Sequence, residues 1–268
     1  MPSSAYRRYV ALGDSQTEGL GDGDDVHGLR GWADRLADEV ARQSPGLLYA
    51  NLAVRGRQAG QVRAEQLAPA LAMRPDLATV VAGVNDLLRP SFDIDEVVGH
   101  LEAMLAALTA QGATVATLTF PDIGRITPLA RPIGHRVLAL NERIRESAGR
   151  YGVVVAETAA HPVVTDPRLW SADRLHASPI GHARIAAAVA HALGLPDSDD
   201  NWTRPLPVAG PRASAWRAAA AEFRWVGTFL GPWVVRRLRG RSSGDDRQAK
   251  RPGLLPVSSP TGDASSAV

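Results

Sequence analysis

The 268-residue chain contains no cysteine. That excludes disulfides, thiolate nucleophiles and Cys-ligated zinc or iron–sulfur sites. Lysine is almost missing too: Lys250 is the single lysine among 30 basic residues, so the abundant arginine marks no particular site. No long apolar run is present. The longest strongly apolar stretch, Trp225 to Val235, contains Gly231-Pro232 and falls well short of the roughly 20 residues that cross a bilayer. Met1 to Arg8 run directly into Tyr9-Val10-Ala11-Leu12 without the apolar segment and small-residue cleavage site of an export signal, so the expected location is the cytoplasm. Neither a P-loop nor a Gly-x-Gly-x-x-Gly occurs, which leaves nucleotide binding unsupported, and no nucleic-acid partner is expected.

What the chain does have is the balance of one sizeable globular core, with 45% hydrophobic and 22% charged residues. The formal charge of +2 is divided unevenly. Residues 1–200 carry 19 Arg against 24 acidic residues, and 201–268 carry 11 basic against 4 acidic. A basic segment attached to an acidic body makes an anionic surface one contact to consider.

Short apolar runs alternate with longer helical patterns over the first 200 residues, the sign of βαβ units and a parallel sheet. Five strands are predicted, at Arg8–Leu12, Leu47–Leu52, Asp76–Ala82, Thr114–Phe120 and Gly152–Ala156, each bounded by Gly, Pro, Asn or Asp. Helices are predicted at about Trp32–Arg42, Ile94–Thr109, Pro132–Gly149 and Pro179–Leu193, the last with Ser178 as N-cap. Right-handed crossovers then give an α/β fold, a three-layer α/β/α sandwich on a five-stranded parallel sheet. Its ligands belong outside the carboxyl ends of the strands.

Four short segments fall at those ends. Gly13-Asp14-Ser15 follows the first strand, where a serine can be exposed at the start of a helix; Thr17 stands where a Gly-x-Ser-x-Gly elbow would place its second glycine. Asn51-Leu52-Ala53-Val54-Arg55-Gly56 leaves the second strand, and Gly56 can bring its N–H close to a reacting oxygen with no Cβ in the way. Gly83-Val84-Asn85-Asp86 leaves the third, offering the Asn85 amide as a donor of the oxyanion-hole kind. Asp173-Arg174-Leu175-His176 lies in the loop before the last helix. Taken singly, these are a turn, a turn glycine, an Asx-turn and a surface pair. In order, they fit one site.

With these four blocks, over roughly residues 8–194, the chain resembles the SGNH hydrolase family, the GDSL lipases and esterases. The resemblance implies a flavodoxin-like fold and a carboxylic ester hydrolase that needs no cofactor and no metal. It implies Ser15 as nucleophile, His176 as base and Asp173 as the carboxylate that orients it, with the Ser15 N–H, the Gly56 N–H and the Asn85 side chain as oxyanion donors. A serine hydroxyl attacks poorly at neutral pH unless an imidazole takes its proton, which explains why such a set includes a histidine. The expected substrate is a small or lipid-like acyl ester. Acyl transfer to an alcohol on the same site, and a non-catalytic membrane- or partner-binding module on the same fold, are the alternatives.

Two other clusters are weaker. Asp22, Asp24 and Asp25 suggest calcium only until position 12 of the loop, Ala33, fails the EF-hand pattern, and His161 and His182 fit no metal spacing. The expected division is a hydrolase domain at 1–200, an amphipathic Trp/Arg-rich helical extension at 201–240 and a disordered tail at 241–268. In the extension, Trp216, Ala219, Ala220, Phe223, Val226 and Leu230 form one apolar stripe beside Arg217, Arg224, Arg236 and Arg237. The stripe either packs back on the body or lies peripherally on an anionic membrane.

Overall fold

The computed structural model describes residues 6–207, 227–228 and 244–257. In chain order its strands are β1 (Arg8–Gly13), the two-residue pair β2 (Gly23–Asp24) and β3 (Gly28–Leu29), β4 (Leu48–Asn51), β5 (Leu77–Val81), β6 (Thr114–Leu118), β7 (Val154–Ala156) and β8 (Arg251–Pro256). The α-helices are α1 (Ser15–Glu18), α2 (Trp32–Gln43), α3 (Ala59–Ala72), α4 (Val84–Leu87), α5 (Ile94–Ala110), α6 (Ile123–Ile126), α7 (Gly134–Tyr151) and α8 (Pro179–Ala192).

The main sheet runs β7-β6-β5-β1-β4-β8, with the first five strands mutually parallel. Strands buried on both faces need apolar residues throughout, and β1 and β5 satisfy this: Tyr9 to Leu12 and Leu77 to Val81 are fully or almost fully buried. Helices α2 and α8 pack against each other, and α5 packs against both α3 and α7, covering the sheet in a flavodoxin-like α/β/α sandwich. The order reverses at β1, whose neighbours are β4 on one side and β5 on the other. That reversal is the topological switch point where ligands of such sheets bind, and Ser15 stands just beyond the carboxyl end of β1.

Three features differ from the sequence expectation. Helix α3 was not foreseen, because the face it buries is Ala59, Val62, Gln66 and Ala70, a stripe of small residues and one amide around an internal Pro69. The sheet has six strands, not five: within the tail expected to be disordered, Arg251–Pro256 pairs antiparallel with β4. Pro252 and Pro256 hide this strand in the sequence, since proline removes ladder donors and is confined to sheet edges, where β8 lies. Lys250 fastens it through its ammonium to the Asp34 carboxylate (2.6 Å), and the Arg251 guanidinium lies 5.2 Å over the Tyr49 ring. Finally, Trp202, read as the start of the extension, belongs to the body: it is buried and meets His161 edge-on at 4.6 Å. The stripe from Trp216 to Leu230 lies outside the described residues apart from Gly227 and Thr228.

Candidate active site

Strand β1 ends at Gly13, and Asp14 then caps α1 by accepting the Gln16 N–H. Ser15 is thereby the first residue of a helix, a position whose N–H has no partner within the helix. No acceptor for that N–H occurs among the described residues. The junction is held from the side by a residue that the sequence did not point to. The buried Gln66 of α3 accepts from the Gly13 N–H and donates to the Gly13 carbonyl, both at 2.9 Å.

Across from Ser15, residues 171–176 form a tight loop closed by Ser171 N–H to His176 C=O (2.8 Å) and by an antiparallel bridge between Trp170 and Ala177. Arg174 takes a left-handed conformation at φ 57°, uncommon for a residue with a Cβ. The turn places Asp173 under its own loop. One carboxylate oxygen accepts from the Ser171 hydroxyl (2.6 Å) and from the N–H groups of Leu175 and His176; the other accepts from His176 Nδ1 (2.6 Å). Burial pushes the Asp173 carboxyl upward, but the bonds from His176, Ser171 and Leu175 together hold it well below the usual carboxylate range. With Nδ1–H donating to a carboxylate, Nε2 presents its lone pair, and it lies 2.9 Å from Ser15 Oγ. The three residues are therefore one hydrogen-bonded chain.

A second amide sets the distance between the two halves. Gln16 Nε2 donates to the Leu175 carbonyl (2.8 Å) while its Oε1 accepts the Ala177 N–H (3.2 Å), bracketing His176 from the residue after Ser15. Beneath, His182 of α8 is buried with Nδ1 accepting from the Trp32 N–H and Nε2 donating to the Leu20 carbonyl. Burial drives its pKa down to about 4, so it is a neutral strut.

The other two blocks also converge. Gly56 has φ 76°, a conformation glycine adopts freely, and its N–H has no acceptor among the described residues. The preceding Arg55 is bound to the helix that carries the serine: Glu18 accepts both its backbone N–H and its guanidinium, each at 2.6 Å, in a nearly buried ion pair extended by Asp25 and Arg247. Asn85 donates through Nδ2 to Asp14 Oδ2 (3.1 Å) and to the Arg57 carbonyl (3.0 Å), and Asp86 accepts the N–H of Ala59 at the start of α3. All five residues read from the sequence thus lie on connected segments. The Asn85 amide is engaged with protein acceptors, a point the sequence did not reveal. Asp14 is buried, and burial pushes its carboxyl up to about 7, against the opposing pull of the Gln16 N–H and His176.

Among the described residues, no group of three His, Asp or Glu side chains is arranged to hold a metal ion. Of the acidic loop, Asp22 pairs with Arg35, Asp24 accepts from the N–H groups of Val26 and His27, and Asp25 joins the Arg55 network.

An apolar pocket with a cavity volume of about 90 Å³ adjoins this arrangement. Gln16, Leu175 and Ala177, the chain neighbours of Ser15 and His176, are among its lining residues.

The sequence profile of the GDSL-like lipase/acylhydrolase family matches residues 11–184. No curated protein matches the chain in sequence. Among solved structures, Axe2, an acetylxylan esterase from Geobacillus stearothermophilus, superposes with a TM-score of 0.60 at 18% identity, over 76% of this chain and 99% of its own. LAE5, an alpha/beta hydrolase from the metagenome of Lake Arreo, Spain, gives 0.59 at 21% identity over 70% and 95% of the two chains. The psychrotrophic esterase EstA from Pseudoalteromonas sp., inhibited by monoethylphosphonate, gives 0.55 at 19% identity over 70% and 97%.

Proposed function

The chain belongs to the GDSL-like lipase/acylhydrolase family and is a carboxylic ester hydrolase, and from that premise we propose that it works through an acyl-enzyme on Ser15. The observation that carries this reading is the continuous chain from Asp173 through His176 to Ser15, at 2.6 and 2.9 Å. Its geometry is that of a nucleophile with its base within reach and the base itself oriented by a third group.

His176 Nε2 takes the Ser15 proton as Oγ bonds to the acyl carbon. Asp173, held ionised by its own loop, fixes the imidazole and stabilises the imidazolium. Collapse of the tetrahedral adduct breaks the bond to the alcohol oxygen, which leaves with the proton from Nε2. Water then attacks the acyl-serine through the same base, releasing the acid and restoring Ser15. The oxyanion is received by the unpaired N–H groups of Ser15 and Gly56 and by Asn85 Nδ2, which exchanges one of its present acceptors, Asp14 or the Arg57 carbonyl, for the developing charge.

A phosphonate ester bearing a good leaving group tests the nucleophile without depending on the natural substrate. The expected result is one phosphonyl adduct on the peptide containing Ser15 and none on Ser15→Ala; an adduct elsewhere, or none, contradicts the assignment. The inhibition of EstA by monoethylphosphonate makes this reagent class the natural probe.

A further inference from the structure

We propose that Gly244 and Arg247, at the start of the carboxyl-terminal segment, are positioning residues of the active site: they hold the Arg55–Gly56 peptide so that the Gly56 N–H faces the oxyanion. This rests on the reading of Ser15 as nucleophile and of Gly56 as an oxyanion donor. The donor sits on a peptide that can turn over. Arg57 N–H reaches the Val54 carbonyl at 3.4 Å, and Gly56, third in this turn, has φ 76°, as in a type II turn. Rotating the middle peptide, Arg55–Gly56, converts type II into type I and carries its N–H to the opposite face. The Arg55 carbonyl and the Gly56 N–H are the two ends of that one planar unit, so whatever fixes the carbonyl fixes the donor. Gly244 is buried against this carbonyl: a Cβ added to it would overlap the Arg55 oxygen and stand 3.1 Å from the carbonyl carbon. Only glycine fits there without moving the peptide.

Arg55 is gripped from its other side as well. Glu18, at the end of the helix that Ser15 begins, accepts the Arg55 backbone N–H through Oε2 at 2.6 Å. Its Oε1 accepts from Arg55 Nε at 2.9 Å and from Nη2 at 2.6 Å. Nη2 also donates to Asp25 Oδ1 (2.8 Å), and Arg247 donates to Asp25 Oδ2 (2.7 Å). A guanidinium is a rigid planar fork, so two carboxylates on it set its plane as well as its place. The oxyanion peptide is thus clamped between the serine helix and a segment nearly 200 residues further along the chain, and the clamp selects the turn that presents the donor.

The test is carried out on full-length variants, reading kcat and KM for p-nitrophenyl acetate, the rate at which a phosphonate ester modifies Ser15, and Tm. Gly244→Ala puts a methyl group against the Arg55 carbonyl. It should lower kcat and kcat/KM together by about 10-fold or more, a share of the 10²–10³ carried by one oxyanion donor, with KM little changed because the donor acts on the transition state. Phosphonylation of Ser15 should slow in parallel, since the phosphoryl oxygen occupies the same hole. Arg247→Ala should give a smaller loss in the same direction, and Arg247→Lys, which keeps the charge, should recover most of it. Lys250→Ala cuts the next anchor of the same segment, at Asp34, and should lower Tm while leaving kcat and the phosphonylation rate at wild-type values. Wild-type rates in both Gly244→Ala and Arg247→Ala, beside an inactive Ser15→Ala, overturn the clamp and leave the nucleophile standing. A loss in Lys250→Ala as large as in Gly244→Ala also overturns it, because attachment of the strand alone then accounts for the effect. Turnover that survives in Ser15→Ala overturns the reading of the nucleophile, and the clamp with it. The Arg247 side chain is half-buried at the surface, so its two variants keep the test open if Gly244→Ala does not fold.

Discussion

Gln16 holds the loop of His176 by both ends of one amide, donating to the Leu175 carbonyl and accepting the Ala177 N–H. The residue that follows the serine therefore fixes the backbone on either side of the histidine, and the 2.9 Å contact between Ser15 Oγ and His176 Nε2 follows from that bracket. Gln16→Ala is expected to lower kcat by about 10²-fold, the scale of a misplacement near 1 Å, with a much smaller effect on Tm. Steady-state kinetics alongside thermal melting check this; a kcat within a few fold of wild type shows that the loop holds its place without the bracket.

Asn85 is tied to Asp14 and to the Arg57 carbonyl, so it joins the serine turn to the Gly56 turn, and in the proposed mechanism it exchanges one of these acceptors for the oxyanion. Asn85→Ala should cost about 2.7–4 kcal/mol of transition-state stabilisation, or 10²–10³ in kcat, as the loss of one oxyanion donor does. An unchanged kcat would remove Asn85 from the oxyanion hole.

Asp14 makes a prediction about pH. Its carboxyl is buried and titrates near 7 in the folded protein, against 3.8 as the ordinary value. The folded state therefore holds this proton more tightly than the unfolded state does, so the stability due to Asp14 is complete below about pH 4 and is lost as pH rises toward 7 and beyond. The full loss corresponds to about 4 kcal/mol. In Asp14→Asn that component vanishes, and the difference in Tm between variant and wild type should move in the variant's favour from pH 4 to pH 8. His182, shifted the opposite way, contributes equally to both proteins and cancels from the difference. A Tm difference independent of pH contradicts a raised Asp14.

Strand β8 protects what is otherwise the exposed edge of β4, and Arg247 just before it closes the Asp25–Arg55–Glu18 network behind Gly56. Ending the chain at residue 243 exposes unpaired strand edge and removes the Lys250–Asp34 and Arg247–Asp25 pairs. The truncated protein should melt several degrees lower and aggregate more readily, as read by differential scanning fluorimetry and light scattering. A truncated chain with an unaltered Tm would show that the edge strand contributes nothing to the fold.

How much was legible in the sequence differs by element. The parallel strands declared themselves because strands buried on both faces are continuous apolar runs: Arg8–Leu12 was expected and Arg8–Gly13 observed, Thr114–Phe120 expected and Thr114–Leu118 observed. The five residues of the four blocks were picked out by the order of the blocks and by the family resemblance, since each block singly is an ordinary turn or surface pair, and the structure brings them onto connected segments. Helix α3 was not, since alanines and Gln66 make its buried face, nor was β8, whose two prolines and a glycine argue against a strand. The supporting amides escaped notice for a different reason. Gln16 and Gln66 act by pairing with backbone far away in the chain, Leu175 and Gly13 respectively, and no local pattern records such a partner. The Glu18–Arg55 pair, 37 residues apart, was invisible for the same reason.

In the proposed mechanism Ser15 and His176 act as one nucleophilic unit, and the most direct measurement of this is ester hydrolysis by wild type, Ser15→Ala, His176→Ala and the double variant. Wild type should turn over a p-nitrophenyl ester, each single variant should lose about 10⁴-fold or more in kcat, and the double variant should be scarcely worse than either single one. Substantial turnover by Ser15→Ala, or losses that multiply in the double variant, would contradict it.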